Sequence, residues 1–303
     1  MSAVPVPDPA AEFARRLLAW YEANARELPW RAPDAGAWAV LVSEIMLQQT
    51  PVARVLPAYA AWLERWPTPA ALAAASPGDA VRMWGKLGYP RRALRLHAAA
   101  TAITERFAGR VPDSLDDLLG LPGVGAYTAR AVASFAHGQR HPIVDTNVRR
   151  VIARAVLGQG EAGPPSTTRD HARVEALLPP EPARAARFGV AVMELGALVC
   201  TARSPRCGDC PLAARCAWIA AGSPPYDGPT VRPQRFAGTD RQVRGRLLDV
   251  LRAADRPVTA AALDLAWPEP VQRARALDAL VADGLVDPLP DGRFSLPSDI
   301  SRL

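Results

Sequence analysis

Four thiols crowd one short stretch, Cys200, Cys207, Cys210 and Cys216, in the pattern C-x6-C-x2-C-x5-C. Thiolates so close in sequence can wrap one compact metal centre, and in a reducing compartment they are not expected to form structural disulfides. Zinc modules usually pair two Cys-x-x-Cys knuckles, and this segment has one, Cys207 to Cys210. The unequal spacing points to a [4Fe–4S] cluster held by a loop over 200–216, with zinc or free thiols as the alternatives; thiolate chemistry alone does not separate the cluster from zinc. Arg203, Arg206 and Arg215 stud the loop, so it can present positive charge to phosphates without any redox role.

Two carboxylates carry a second kind of chemistry. Glu44 sits within the stretch 38–49, which is apolar almost all round. Charged groups are seldom buried unless paired or functional, and burial raises a carboxyl pKa, which suits a proton donor near neutral pH. The competing reading puts Glu44 on a solvated edge beside Ser43 and Gln48. Asp145 follows Pro142-Ile143-Val144 and opens a helix, so it reads as an N-cap. A capping carboxylate accepts backbone N–H bonds and feels the helix dipole, which keeps it ionised. A protonated buried Glu and a stabilised Asp are the acid and the anion that glycosidic cleavage needs. Between them in sequence lies Leu121-Pro122-Gly123-Val124-Gly125, read as a tight turn opening a small-residue helix from Thr128. Free N–H groups at such a helix start can bind an anion, here a nucleic-acid phosphate; the alternative is a turn whose glycines serve geometry alone.

The elements that must position these groups read as helices. Apolar periodicity and Pro/Gly breaks predict them at 11–27, 38–49, 52–66, 70–75, 78–86, 91–107, 114–120, 128–137, 146–157, 169–178 and 183–199. No strand pattern precedes residue 285. A Pro/Gly-rich stretch over 221–238 reads as a linker. Beyond it, helices at 243–254, 259–266 and 270–283 precede an Asp291-Gly292 turn flanked by 285–289 and 293–296, a hairpin signal. Three helices and a hairpin suggest a small winged-helix-like module over 239–303.

The chain of 303 residues suits two or three domains, and 49% hydrophobic residues mark an ordinary globular protein. Lys+Arg number 36 against 30 Asp+Glu, a net +6 that favours a polyanionic partner; Lys86 is the only lysine. The Pro-rich start lacks the basic and apolar regions of a signal peptide, and no apolar run reaches membrane-spanning length. No membrane partner is expected, and the expected location is the cytoplasm, in association with the nucleoid.

Glu44 in Ser-Glu-Ile-Met-Leu-Gln-Gln-Thr, the Leu-Pro-Gly-Val-Gly turn, Asp145 in Val-Asp-Thr-Asn and the cysteine loop occur in this order. Together they resemble the helix-hairpin-helix DNA glycosylases of the endonuclease III superfamily, and within it the MutY-type, adenine-excising branch. The resemblance covers about residues 11–220 and implies an all-α, two-subdomain core with a helix-hairpin-helix and an iron–sulfur loop. It implies base excision repair on double-stranded DNA with mispaired adenine, opposite 8-oxoguanine or guanine, by a monomer. Bifunctional relatives carry a lysine nucleophile where this chain has Tyr127, so strand cleavage through a Schiff base is not expected. The resemblance assigns Glu44 to protonate the flipped base and later activate water, Asp145 to stabilise the cationic sugar, and Tyr127 to line the sugar site. It places Arg26, Leu28, Trp30, Arg31 and Glu194 around the adenine, and it matches Gln48 and Tyr89 to wedge residues that enter the base stack. Gly123, Gly125 and Asn147 complete the implied DNA-binding set. Thr146 stands where the branch commonly has glycine, and 239–303 is too short for its usual NUDIX-like reader of 8-oxoguanine. Two rivals remain: a T:G thymine glycosylase of the same fold, in which Glu44 would lack an N7 to protonate, and a non-catalytic DNA-binding sensor.

Overall fold

The computed structural model describes residues 8–226, 228 and 236–297; of the expected linker, 227 and 229–235 lie outside the described residues. Backbone contacts divide the chain into two compact units. The first comprises Met1–Val40, Asp113–Leu119 and Gly125–Thr230; the second comprises Leu41–Pro112, Gly120–Val124 and Val231–Leu303.

The first unit is built on α1 (Pro9–Asn24), α7 (Leu115–Leu119), α8 (Ala126–Phe135), α9 (Thr146–Ala155), α10 (Thr167–Glu175), α11 (Pro182–Leu198) and α12 (Ala217–Ala220). Helix α11 is its axis, packed against α1, α8 and α9. Leu17, Leu18 and Tyr21 of α1, Val148, Val151 and Ile152 of α9, and Phe188, Val192 and Leu195 of α11 share one buried cluster. Removing their apolar surface from water is what holds these three helices of modest length together. Two α11 glycines set the spacing. A Cβ on Gly189 would sit 3.3 Å from Ile143 Cγ1, and one on Gly196 only 2.7 Å from Asn147 Cβ.

The second unit takes most of α2 (Ala37–Leu47), together with α3 (Val52–Arg65), α4 (Pro69–Ala73), α5 (Pro77–Trp84) and α6 (Arg91–Arg106). Short helices here rely on explicit starts: Thr68 caps α4 at Ala71 N and Ser76 caps α5 at Asp79 N, each followed by proline at the first helical position. Trp62 meets Trp66 and Trp84 edge-on, with ring centroids 4.6 and 5.6 Å apart, a filled core in a lobe otherwise rich in alanine.

The C-terminal elements belong to this second unit. Helices α13 (Asp240–Ala253), α14 (Ala260–Asp264) and α15 (Pro270–Ala282) precede a two-stranded antiparallel sheet, β1 (Asp287–Pro288) with β2 (Phe294–Ser295), in the register Asp287↔Ser295 and Pro288↔Phe294. Val258 bridges Phe294 from the other side, so the hairpin gains a third backbone partner. Three helices and a hairpin follow one another in the expected order, with shorter strands: Leu285 and Val286, assigned from sequence to the first strand, instead bury their side chains ahead of it.

Helix ends differ from the sequence reading where tertiary partners intervene. The pattern predicts a first helix running to 27, but it stops at Asn24, because the backbone N–H of Arg26 is taken by Glu194 Oε1 at 3.0 Å. The helix expected from Thr128 starts at Ala126, one residue past Gly125, which serves as its N-cap. No helix among the described residues is long and apolar enough to cross a membrane.

Candidate active site and cluster loop

Within the first unit, Asp145 caps α9. Its Oδ1 accepts the Val148 N–H at 2.7 Å and its Oδ2 accepts the Asn147 side-chain amide at 2.9 Å. Burial pushes its carboxyl above the ordinary aspartate range, and these hydrogen bonds and Arg150 only partly oppose that. The group is therefore held ionised less firmly than its capping position alone implies; desolvation is the larger effect. Asn147 is fixed in turn: its Oδ1 accepts from Arg150 at 2.8 Å, and Arg150 also reaches the carbonyls of Gly196 and Cys200, each at 2.7 Å. The absent side chain at Gly196 is what lets α11 approach Asn147 so closely.

Arg26, Arg31 and Glu194 come together as expected. Glu194 is 0% exposed, accepts Arg26 N at 3.0 Å and Nε at 2.7 Å on one oxygen, and accepts Arg26 and Arg31 guanidinium groups at 2.7 and 2.9 Å on the other. Burial opposes its ionisation, but the two arginines outweigh burial and hold the carboxyl down at about 2. Leu28 and Trp30 are buried at the neighbouring 3-10 turn, Pro29–Arg31. Tyr127, in the first turn of α8, places its hydroxyl 4.0 Å from the sulfur of Met193, the residue before Glu194.

Within the second unit, Glu44 is 5% exposed on a helix where Val40, Leu41, Val42, Ser43, Ile45 and Met46 are also buried. The solvated-edge alternative for Glu44 is therefore excluded. Gln48 follows the end of α2, and Tyr89 stands before α6, 51% exposed and with a left-handed backbone, φ 48°. The two turn glycines separate. Gly123 has φ +76°, and a Cβ there would lie 2.6 Å from Arg95 Cβ, so the fold itself demands glycine. Gly125 has an ordinary φ of −90°, and a Cβ there would meet nothing within 4 Å. Neither torsion nor internal packing requires glycine at that helix start.

The four cysteines line one pocket with Val151, Arg154, Leu195, Val199 and Leu212 among its walls. Among the described residues no three His, Cys, Asp or Glu side chains converge on a single metal ion. Four thiols around one pocket supply the donor set that an iron–sulfur cluster takes. Arg154 ties the loop down, donating to Thr201 O at 2.7 Å, Ala202 O at 3.0 Å and Gly160 O at 2.8 Å, with Cys200 Sγ at 3.6 Å. Sequence reasoning missed Arg150, Arg154 and Gly196. In a chain whose cations are nearly all arginine, nothing local separates a buried guanidinium from a surface one, and a helix glycine is silent about which neighbour it admits.

Residues 42–175 match the model of the HhH-GPD superfamily of base excision DNA repair proteins, and residues 200–216 match the iron–sulfur binding domain of endonuclease III. An adenine DNA glycosylase of Mycobacterium tuberculosis is 59% identical over 300 residues, 97% of this chain and 98% of that protein. A thymine/uracil-DNA glycosylase of Pyrobaculum aerophilum is 37% identical over 206 residues, 67% of this chain and 89% of that one. Among solved structures, a non-covalent endonuclease III–DNA complex superposes with a TM-score of 0.59 at 22% identity, covering 71% of this chain and 99% of that one, a likeness of fold.

Proposed function

The chain belongs to the MutY-type adenine DNA glycosylases of the helix-hairpin-helix base excision repair superfamily, and we propose that it acts as a monomer that releases adenine mispaired with 8-oxoguanine or guanine without cutting the strand. Double-stranded DNA is its substrate, and the setting proposed is nucleoid DNA in the cytoplasm. The observation that carries the reading is Glu44, a carboxyl 5% exposed on an apolar helix, the kind of setting in which a positioned side chain hands a proton to a bound base.

Adenine leaves the stack to be reached, and Gln48 and Tyr89 fill or pry open the gap. Glu44 donates its proton to N7, so the base departs as a neutral leaving group and the bonding electrons of the N-glycosidic bond leave with it. The sugar is left as an oxocarbenium-like cation, which the Asp145 carboxylate stabilises. Glu44, now a carboxylate, takes a proton from water as the oxygen adds to C1′, leaving an abasic site. Tyr127 lines the sugar site and offers no amine for a Schiff base. Arg26, Leu28, Trp30, Arg31 and Glu194 border the base; the ionised Glu194 keeps both guanidiniums in place.

Gly125 and the N–H groups at the start of α8 take a backbone phosphate, which accounts for a glycine that the protein's own packing does not require. Cys200, Cys207, Cys210 and Cys216 hold the [4Fe–4S] cluster. The bound cluster supplies a fixed core for a loop that presents Arg203, Arg206 and Arg215 to DNA.

The test is incubation with duplexes bearing A:8-oxoguanine, A:G, A:C and T:G, followed by alkali. Scission of the adenine strand, strongest opposite 8-oxoguanine or guanine, is expected. Scission at T:G alone would mean the thymine reading instead, and none at all would mean a binding protein.

A further inference from the structure

Arg92, in the first turn of α6, is 5% exposed, and no role in the reaction scheme explains it. Its guanidinium gathers carbonyls from two segments of the second unit. One amino group donates to the carbonyls of Ile45 and Met46, each at 3.0 Å, and of Gln48 at 2.5 Å, where α2 terminates. The other donates to Thr50 Oγ1 at 2.9 Å and to the carbonyls of Gly88 at 3.0 Å and Leu87 at 3.4 Å, just before Tyr89. Thr50 Oγ1 itself donates to Leu87 O at 3.2 Å, and the Trp84 indole donates to Gly88 O at 2.9 Å. The guanidinium carbon also lies 5.2 Å from the Trp84 ring centroid and 5.4 Å from that of Tyr89. Burial lowers this group to about 10, so it remains a cation at neutral pH.

The two segments it joins both carry unfavourable backbone. Gln49 has φ 55° and Tyr89 φ 48°, left-handed conformations that side-chain-bearing residues adopt only when the surroundings impose them. A cation at a helix C-terminus satisfies orphan carbonyls and opposes the helix dipole, so Arg92 supplies what imposes both kinks at once.

We infer that Arg92 is a positioning residue for base extrusion: its guanidinium locks the loop of Gln48 to the loop of Tyr89, so that the two side chains enter the DNA stack as one pre-formed wedge. This rests on the reading of Gln48 and Tyr89 as wedge residues. Extrusion must offset the unstacking of a base pair, and a wedge that has to be ordered first is less able to do so. Lysine retains the charge but cannot fork to both segments.

The experiment compares Arg92→Lys and Thr50→Val with Gln48→Ala, Tyr89→Ala and the unaltered protein. It has three readouts: fluorescence of 2-aminopurine placed at the adenine position opposite guanine, single-turnover release of adenine, and Kd for an undamaged duplex. For Arg92→Lys, the 2-aminopurine signal and the release rate are each expected to fall about tenfold, with Kd changed less than about twofold. Thr50→Val, which removes one partner of the guanidinium, should show the same split to a smaller degree and carries the test if the Arg92 variant does not fold. A parallel loss of Kd and release would make Arg92 a structural residue only and overturn the inference. So would normal 2-aminopurine fluorescence with slowed release. If Gln48→Ala and Tyr89→Ala also leave 2-aminopurine unstacking intact, the wedge reading fails and this inference with it. If those two lose it and the Arg92 and Thr50 variants do not, this inference alone fails.

Discussion

A single proton separates the proposed chemistry from mere recognition of DNA, and Glu44 is its proposed donor. Glu44→Gln keeps the volume and hydrogen-bonding shape but removes the acid, so single-turnover release of adenine is expected to fall by at least about a thousandfold while duplex affinity is kept. Near-normal release would remove Glu44 from the mechanism. Asp145 has the opposite requirement, since its proposed role is that of an anion. Its carboxyl already lies above the ordinary aspartate range because burial outweighs its hydrogen bonds. Activity is therefore expected to fall on acidification at a higher pH than for an exposed aspartate. Asn147→Ala removes one bond to the charged form, which should move this acid limb further up. A pH–rate profile under single turnover checks the direction; an unmoved or lowered limb would contradict it. Tyr127→Lys is expected to introduce a strand-nicking activity with a borohydride-trappable adduct, and its absence would unseat the positional match for Tyr127. These residues were legible because each is an unusual type for its setting: a Glu in an apolar run, an Asp before a helix, four clustered thiols. Arg92, Arg150 and Arg154 were not legible, because what distinguishes them is which distant carbonyls they reach, and residue type does not encode that.

The helices repeat the lesson at a larger scale. Periodicity and caps located nearly every one, since proline starts and Ser or Thr caps act within four residues of the chain. Boundaries failed where a long-range partner decided the end, as when Glu194 takes the Arg26 N–H and the first helix stops short of it. Glycines show the same split between local and non-local causes. Gly123 announces itself through a turn sequence, whereas Gly196 is defined by Asn147 pressing on it from α9. Gly196→Ala would place a methyl 2.7 Å from Asn147 Cβ, so α9 and α11 must part. A stability loss of about 1–3 kcal/mol is expected, with slower release because Asp145 moves with Asn147. Gly125→Ala meets nothing within 4 Å, so stability should be retained while DNA affinity drops. Thermal unfolding paired with duplex Kd distinguishes the two; equal effects of both substitutions on affinity would deny Gly125 its proposed phosphate.

For the molecule as a whole, the question is what the C-terminal module contributes. Helices and a wing suggest a DNA reader, but its charges do not. Over 239–303 the chain carries nine arginines against ten carboxylates, so the net positive charge resides elsewhere. Arg273 and Arg275 of α15 pair with Asp264 and Asp240 at 2.8 and 2.7 Å, and Arg293 in the wing pairs with Asp291 at 2.6 Å. Glu269, the cap of α15, sets an acid where a phosphate would have to sit. The module is instead fastened to its own unit. Arg82 of α5 donates to the carbonyls of Arg252 and, at 2.9 Å, Ala254 at the end of α13, while Arg252 returns a bond to Val81 O at 3.1 Å. A Cβ at Gly78 would collide with Pro297 O at 2.6 Å, which shows how closely Pro297 lies on α5. The module is thus expected to act as a buttress of the lobe that carries Glu44. Arg82→Met should lower stability by about 2–3 kcal/mol, because buried carbonyls lose a charged donor. Arg273→Gln with Arg275→Gln should leave the salt dependence of duplex binding unchanged, whereas Arg203→Gln with Arg215→Gln in the cluster loop should flatten the slope of log K against log[salt] by about 0.9 for each phosphate no longer neutralised. A flattened slope for the α15 pair would restore the module to the DNA interface and refute the buttress reading.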